Sequence, residues 1–284
     1  MNDNLKNETL AILRKYETKA KKKFGQNFLI DESVIDTIVE SAEITDKDLI
    51  IEVGPGLGTL TKRLCKKAGQ VVAIEIDNEV INILETELAE YDNLKIVNED
   101  VLKVDINKLI EEYSMGGSVK VVANLPYYIT TPIVMMLLEG RYPIDEIEIM
   151  IQKEVAERFL ATPSGREYGA ITVAINYYSE IEHIIDVPSV SFLPAPKVDS
   201  AVVMLRVNKE LPKVNDEKFL FNVVKGAFGK RRKTLVNSLG TAGIEGVSKE
   251  RVSEVLRKLD IDENIRAEKI SLKNFINIAD RLKQ

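Results

Sequence analysis

The stretch Leu49-Ile50-Ile51-Glu52-Val53-Gly54-Pro55-Gly56-Leu57-Gly58 decides the fold. A short β-branched apolar run stops at glycine, and TLTKRLCKKA (59–68) behind it carries apolar residues at helical spacing. The alternation then repeats downstream: VVAIEI (71–76), LKIVNE (94–99), VKVVAN (119–124) and EIEIMIQ (146–152) read as strands. NEVINILETELAEY (78–91), INKLIEEY (106–113) and TPIVMMLLEG (131–140) read as helices, the last with Pro132 in its first turn and Gly140 at its end. Strand–helix alternation predicts an α/β fold, a mostly parallel sheet with helices on both faces. Upstream, 8–17 and 32–43 are helical by the same test. Downstream, IEHIIDV (181–187) and SAVVMLRVN (200–208) flank a segment holding Pro188, Pro194 and Pro196, and predict an antiparallel pair closing the sheet edge. Past Pro212 only helices are predicted, over 216–228, 231–239, 249–259 and 271–283. The chain therefore divides into an α/β domain over 1–208 and a small all-α domain over 209–284.

Composition narrows the chemistry. With 284 residues, 45% hydrophobic and 30% charged, the chain is ordinary for a water-exposed globular protein. It has no apolar run of 18 residues, and its N-terminus lacks the apolar centre of a signal peptide, so neither a membrane span nor a leader is expected. One cysteine, Cys65, excludes an intrachain disulfide and a cysteine-cluster metal site, and points to a reducing cytoplasm. The one histidine, His183, has no triad or metal partner at a sensible spacing and reads as an exposed or hydrogen-bonded strand residue. No metal is expected. The net charge of −6 argues against nucleic-acid binding, but nucleic acids respond to patches: Lys19, Lys21, Lys22 and Lys23 form one basic patch and Lys230-Arg231-Arg232-Lys233 another.

In an open α/β sheet, ligands bind beyond the carboxyl ends of the strands. Those ends carry Gly54 and its turn, then Glu75 and Asp77, then Asp100, then Asn124. The glycines permit a tight turn and close backbone approach. Glu75, at the end of the next strand, can accept hydrogen bonds from both hydroxyls of a ribose. Asp100 can accept from an adenine amino group, or it can cap a helix. These residues favour a ribose-bearing cofactor without separating a nicotinamide from S-adenosylmethionine. The spacing G-x-G-x-G departs from the dinucleotide pattern, and the nearby acids suit a cation.

Asn124-Leu125-Pro126-Tyr127 suits methylation of an amino nitrogen on a heterocycle. That nitrogen's lone pair is delocalised into the ring, so its two N–H groups need acceptors that favour a tetrahedral geometry. The Asn124 side-chain oxygen and a backbone carbonyl at Leu125 or Pro126 are suitable. Tyr127 offers a face for stacking, worth ~1–3 kcal/mol per base. Phe192 offers a second face, with core packing as the alternative.

Phe24-Gly25-Gln26-Asn27-Phe28-Leu29, Glu52 to Gly58, Asn124 to Tyr127, and Phe192-Leu193-Pro194-Ala195-Pro196-Lys197-Val198-Asp199-Ser200 occur in this order. Together they resemble the ribosomal RNA adenine N6,N6-dimethyltransferases, on their small-subunit branch, from about residue 20 onward. The resemblance implies a Rossmann-like fold and S-adenosylmethionine as methyl donor. It implies that Asn27, Leu29, Gly54, Glu75, Asp100 and Asn124 bind the cofactor, and that Tyr127 and Phe192 sandwich the target base. The implied substrates are two adjacent adenosines in the 3′-terminal hairpin loop of small-subunit rRNA, within a pre-assembled particle. Lys22 and Lys23, and the helical domain with Lys230, Arg231, Arg232 and Lys233, would contact that rRNA. The expected state is a monomer, with no membrane partner.

Overall fold

The protein was analysed as a computed structural model, which describes residues 4–21, 24–230 and 232–284. The basic residues Lys22, Lys23 and Arg231 lie outside the described residues.

The chain forms two compact units, one of residues 1–156 with 181–207, the other of 157–180 with 208–284. The first holds α1 (Asn4–Lys15), β1 (Phe28–Leu29), α2 (Glu32–Ser41), β2 (Leu49–Val53), α3 (Thr59–Cys65), β3 (Gln70–Glu75) and α4 (Asn78–Glu87). It continues with β4 (Leu94–Asn98), α5 (Ile106–Tyr113), β5 (Val119–Asn124), α6 (Thr130–Glu139) and β6 (Glu146–Gln152). After α7 (Lys153–Leu160) and α8 (Ala170–Tyr178) come β7 (Ser179–Val187), β8 (Phe192–Leu193) and β9 (Ser200–Val207).

Seven strands form one sheet in the order β4-β3-β2-β5-β6-β9-β7. Neighbours from β4 to β6 are parallel, and β9 runs antiparallel to β6. β2 sits near the centre because every residue of LIIEV is buried; burial on both faces is what a continuous apolar run demands. Full burial of a side chain such as Ile51 stabilises by about 1.5–3 kcal/mol. Aspartates start the helices of this layer: Asp31 accepts from the backbone N–H of Ser33, Asp77 from that of Glu79, and Asp105 from that of Lys108.

β1 and β8 form a separate antiparallel ribbon, with Phe28 opposite Leu193 and Leu29 opposite Phe192. Two-residue strands carry no periodicity, so the sequence pattern predicts neither.

The second unit is helical. α9 (Glu217–Phe228), α10 (Leu235–Leu239), α11 (Lys249–Lys258) and α12 (Leu272–Lys283) match the expected helices, except that α10 begins four residues later than its expected start at 231. Thr234 caps it, accepting from the Asn237 N–H, so Lys230, Arg232 and Lys233 stand exposed in the preceding turn rather than on a helix face. The chain passes into the helical unit after Val207, and residues 157–180, expected in the α/β domain, pack in the helical unit as well. The cause is α8, whose Tyr177 and Tyr178 both donate hydroxyl hydrogen bonds to Glu217 at the start of α9, at 3.1 and 2.9 Å. Phe221 of α9 packs against both rings.

Two acids inside the α/β unit shape its response to pH. Glu148 of β6 is 1% exposed and takes a 2.6 Å hydrogen bond from the Ser41 hydroxyl. Burial pushes its carboxyl up to about 8 against that hydrogen bond, and burial does the same to Glu52. Such a group is protonated in the folded chain and ionised in the unfolded one between its ordinary pKa near 4.5 and about 8. The folded state binds more protons in that window, so its stability falls as pH rises through it. Carboxylates held low, such as Asp77 and Asp216, act below this window. Thermal unfolding of the ligand-free protein measured from pH 5 to 8 is expected to show a falling midpoint. Glu148→Gln should flatten that fall, and an unchanged slope would contradict the assignment.

Candidate active site

The carboxyl ends of β2, β3, β4 and β5 border a cleft enclosing about 1050 Å³, part of it open to solvent. Parallel strands deliver all four ends to one edge, and the sequence places a turn-former or polar residue at each. Gly54, Gly56 and Gly58 adopt φ values of 68°, 56° and 80°, a region that residues with a Cβ rarely enter. At Gly56 a Cβ would also stand 3.2 Å from the Phe28 ring, so glycine lets the residue 24–29 segment rest on the turn.

Glu75 ends β3 and is 7% exposed. Its Oε1 accepts from the backbone N–H groups of Ile76 (2.9 Å) and Asp77 (2.8 Å), which orients the carboxylate along the cleft wall. Burial raises its pKa, and the amides of Asp77, Ile76 and Gly56 work in the opposite direction. Asp100 lines the same wall and accepts from the Leu102 N–H at 3.1 Å. The alternative role as a helix cap belongs instead to Asp105. Ile76, 47% exposed, and Val101 supply apolar surface between the two acids.

Asn124 closes β5. Its Nδ2 donates to the Asn27 carbonyl at 3.2 Å. A carbonyl can only accept, so the contact fixes the amide orientation and leaves Oδ1 without a partner among the described residues. The two candidate backbone acceptors separate. The Pro126 carbonyl already takes the Ile129 N–H (3.1 Å) and the Thr130 hydroxyl (3.2 Å). Among the described residues the Leu125 carbonyl takes no such bond, and the Leu125 N–H is tied to the Met150 carbonyl at 3.1 Å.

The Tyr127 ring lines the cleft, and its hydroxyl sits 2.6 Å from that of Ser200. Phe192 does not line it. The side chain is 2% exposed, in the core with Leu29, Val34 and Val202. Its pairing with Leu29 in the β1–β8 ribbon turns both side chains inward. Of the other expected cofactor residues, Asn27, Leu29 and Gly54 all border the cleft. His183 lies on exposed β7, 2.9 Å from Asp186. Lys230, Arg232 and Lys233 belong to the helical unit.

Several cleft residues have no role predicted from the sequence pattern. Glu52 is 1% exposed, with Oε2 unpartnered among the described residues. Its position before the glycine turn was the available signal. Gln26 and the exposed Tyr128 also border the cleft; nothing in their spacing marks them. Among the described residues no cluster of His, Cys, Asp or Glu could hold a metal ion, and no helix is long and apolar enough to cross a membrane.

Sheet order, glycine turn and paired acids define a Rossmann-like methyltransferase. The profile of the ribosomal RNA adenine dimethylase family matches residues 17–284, and the chain belongs to that family, whose methyl donor is S-adenosylmethionine. It is 47% identical over 275 residues to the ribosomal RNA small subunit methyltransferase A of Lachnoclostridium phytofermentans, covering 96% of this chain and 95% of that one. It is 48% identical to the protein of the same name from Clostridioides difficile, covering 95% and 93%. Among solved structures, a dimethyladenosine transferase from Plasmodium falciparum superimposes with a TM-score of 0.76 at 26% identity, over 88% of this chain and 95% of that one. The 23S rRNA methyltransferase ErmE superimposes at 0.70 and 27% identity, over 91% and 100%.

The site fits the cofactor on its own chemistry. A sulfonium nucleoside is a cation with a ribose and an adenine. The cleft offers it two buried carboxyls, one with an unpartnered oxygen, beside an apolar wall. Glu75→Gln removes a charge and sets an amide against the Ile76 and Asp77 N–H groups. Hydrogen bonds to charged groups are worth about 1.5–3 kcal/mol, so calorimetric titration should show affinity for S-adenosylmethionine falling roughly 10- to 100-fold. Binding as tight as in the parent would remove Glu75 from the site.

Proposed function

We propose that the chain dimethylates the N6 amino groups of two adjacent adenosines in the 3′-terminal hairpin loop of small-subunit rRNA. The work is done on a pre-assembled subunit, by a monomer, in a bacterial cytoplasm. Asn27, Leu29, Gly54, Glu75 and Asp100 hold the cofactor, Glu75 at the ribose and Asp100 at the adenine amino group, with Ile76 and Val101 against the adenine faces. The cofactor supplies an activated methyl on a positively charged sulfur.

The observation that carries the reading is the Asn124 amide. With Nδ2 held by Asn27, Oδ1 is the acceptor left for the target amino group. The Leu125 carbonyl accepts the second N–H, since that of Pro126 is occupied. Two acceptors on one nitrogen favour a tetrahedral geometry, which takes its lone pair out of conjugation with the ring and aims it. Positioning of this kind is a principal source of rate. Tyr127 stacks on the base, its ring held through Ser200. The methylated nitrogen is acidic and gives its proton to water, so no side chain need serve as a strong base.

Identity near 47% over almost the whole chain supports the small-subunit target. The fold does not distinguish it, because ErmE superimposes nearly as well. Exposed Lys230, Arg232 and Lys233 suit contact with phosphates in the helical unit; Lys22, Lys23 and Arg231 keep the same expected role.

Labelled S-adenosylmethionine with unmodified small and large subunits tests the target. Label in N6,N6-dimethyladenosine of the small-subunit hairpin is expected, and label confined to large-subunit rRNA would overturn it. Asn124→Ala should lower turnover about 10²–10³-fold, the scale for removing one positioned hydrogen-bonding group, with the unfolding midpoint kept. Near-parental turnover would refute its role.

A further inference from the structure

Residues 24–29 line the cofactor cleft along their whole length. Asn27 fastens this segment to Asn124, and the β1 pairing fastens it to β8. A third fastening lies on the opposite side, at Asp77. This residue caps α4 through the Glu79 N–H at 3.2 Å, and a cap needs one carboxylate oxygen. Asp77 uses both. Its Oδ1 also receives the Lys21 ammonium at 2.8 Å, and its Oδ2 receives the Gln26 side-chain amide at 3.2 Å. The triangle is closed by the Lys21 backbone N–H, which donates to Gln26 Oε1 at 2.8 Å.

Asp77 is 4% exposed. Burial would raise its pKa, but the bonds from Lys21, the Glu79 N–H and Gln26 outweigh it and hold the carboxylate ionised. Lys21 is paired with Asp77 and, at 2.9 Å, with Glu79. That takes it out of the free basic patch that its sequence position suggests. Through its backbone N–H, Asp77 also orients Glu75 at 2.8 Å.

We propose that Lys21, Gln26 and Asp77 form a latch that holds residues 24–29 over the cofactor, making them positioning residues for cofactor retention. This rests on the assignment of Glu75 and Asn27 to the cofactor. The latch holds Gln26 toward Asp77 and Glu75 while the next residue, Asn27, is tied to Asn124, so adjacent residues of one strap are held to the ends of two different strands. At Gly25, φ is 61° and a Cβ would stand 3.3 Å from the Tyr128 ring. The strap therefore lies close against the catalytic turn just before Gln26. With the latch open, a bound cofactor must order the strap itself, and that cost appears as faster release.

Lys21→Met and Gln26→Leu open the latch while leaving the Asp77 cap and its bond to Glu75 intact. Calorimetric titration with S-adenosylhomocysteine should show Kd rising about tenfold in each, carried by dissociation, with KM for S-adenosylmethionine rising more than kcat falls. The double variant should lose far less than the product of the two, because both break one device. Lys21→Arg should restore most of the affinity. Hydrogen exchange of the ligand-saturated protein should speed up at 24–29 and stay unchanged in β2 and β5. If both variants bind within about twofold of the parent while Glu75→Gln does not, the latch is wrong and the cofactor site stands. If Glu75→Gln binds like the parent, the site assignment falls and the latch with it.

Discussion

Backbone geometry at the end of β2 sets what the other strand ends can do. A strand buried on both faces has to leave the sheet abruptly, and three left-handed residues within five make that exit. The turn clears the space above the sheet edge, and the Gly54 N–H remains paired to the Ile74 carbonyl at 2.9 Å. That bond keeps the first turn in register with β3 and so with Glu75. Phe28 then packs where a side chain at position 56 would lie. The cleft floor, the placement of Glu75 and the packing of the 24–29 segment thus all depend on one backbone conformation.

Charge in the cleft is a consequence of this geometry. Glu52 precedes the turn and Glu75 ends the adjacent strand, both buried; burial first, and then the Glu75 charge, disfavours ionisation of Glu52, and burial disfavours that of Glu75. Without a ligand the acids are pushed toward their neutral forms. A cationic ligand reverses the balance, since it stabilises the charged carboxylates that burial disfavours. The same residues thus favour a sulfonium.

The features legible in the sequence were those that repeat or that end a strand. The alternation predicted the parallel strands and their helices, and Gly54, Glu75, Asp100 and Asn124 stood out as the residues at or just beyond the strand ends. The features that were not legible depended on partners distant in the chain. Residues 157–180 join the helical unit through Tyr177, Tyr178 and Glu217, and no local pattern encodes that. Phe192 looked like a second stacking face, but its pairing with Leu29 turns it into the core. Lys21 looked like part of a basic patch, but its carboxylate partner lies 56 positions away.

Catalysis and target choice are carried by different parts of the chain. The cleft holds two acceptors without partners among the described residues, Asn124 Oδ1 and the Leu125 carbonyl. Acceptors of this kind suit an amino group whatever surrounds it. The near-equal superposition of a 23S rRNA methyltransferase and a dimethyladenosine transferase fits this. Discrimination among ribosomal sites must then come from surface that touches RNA beyond the reacting base. In the α/β unit Lys21 is paired with Asp77 and Glu79. In the helical unit the turn before α10 exposes Lys230, Arg232 and Lys233 together. Phosphate contacts position a protein without reading sequence. An exposed cationic turn of this kind has the chemistry for phosphate contacts, whereas the cleft offers chemistry that is the same at every adenine.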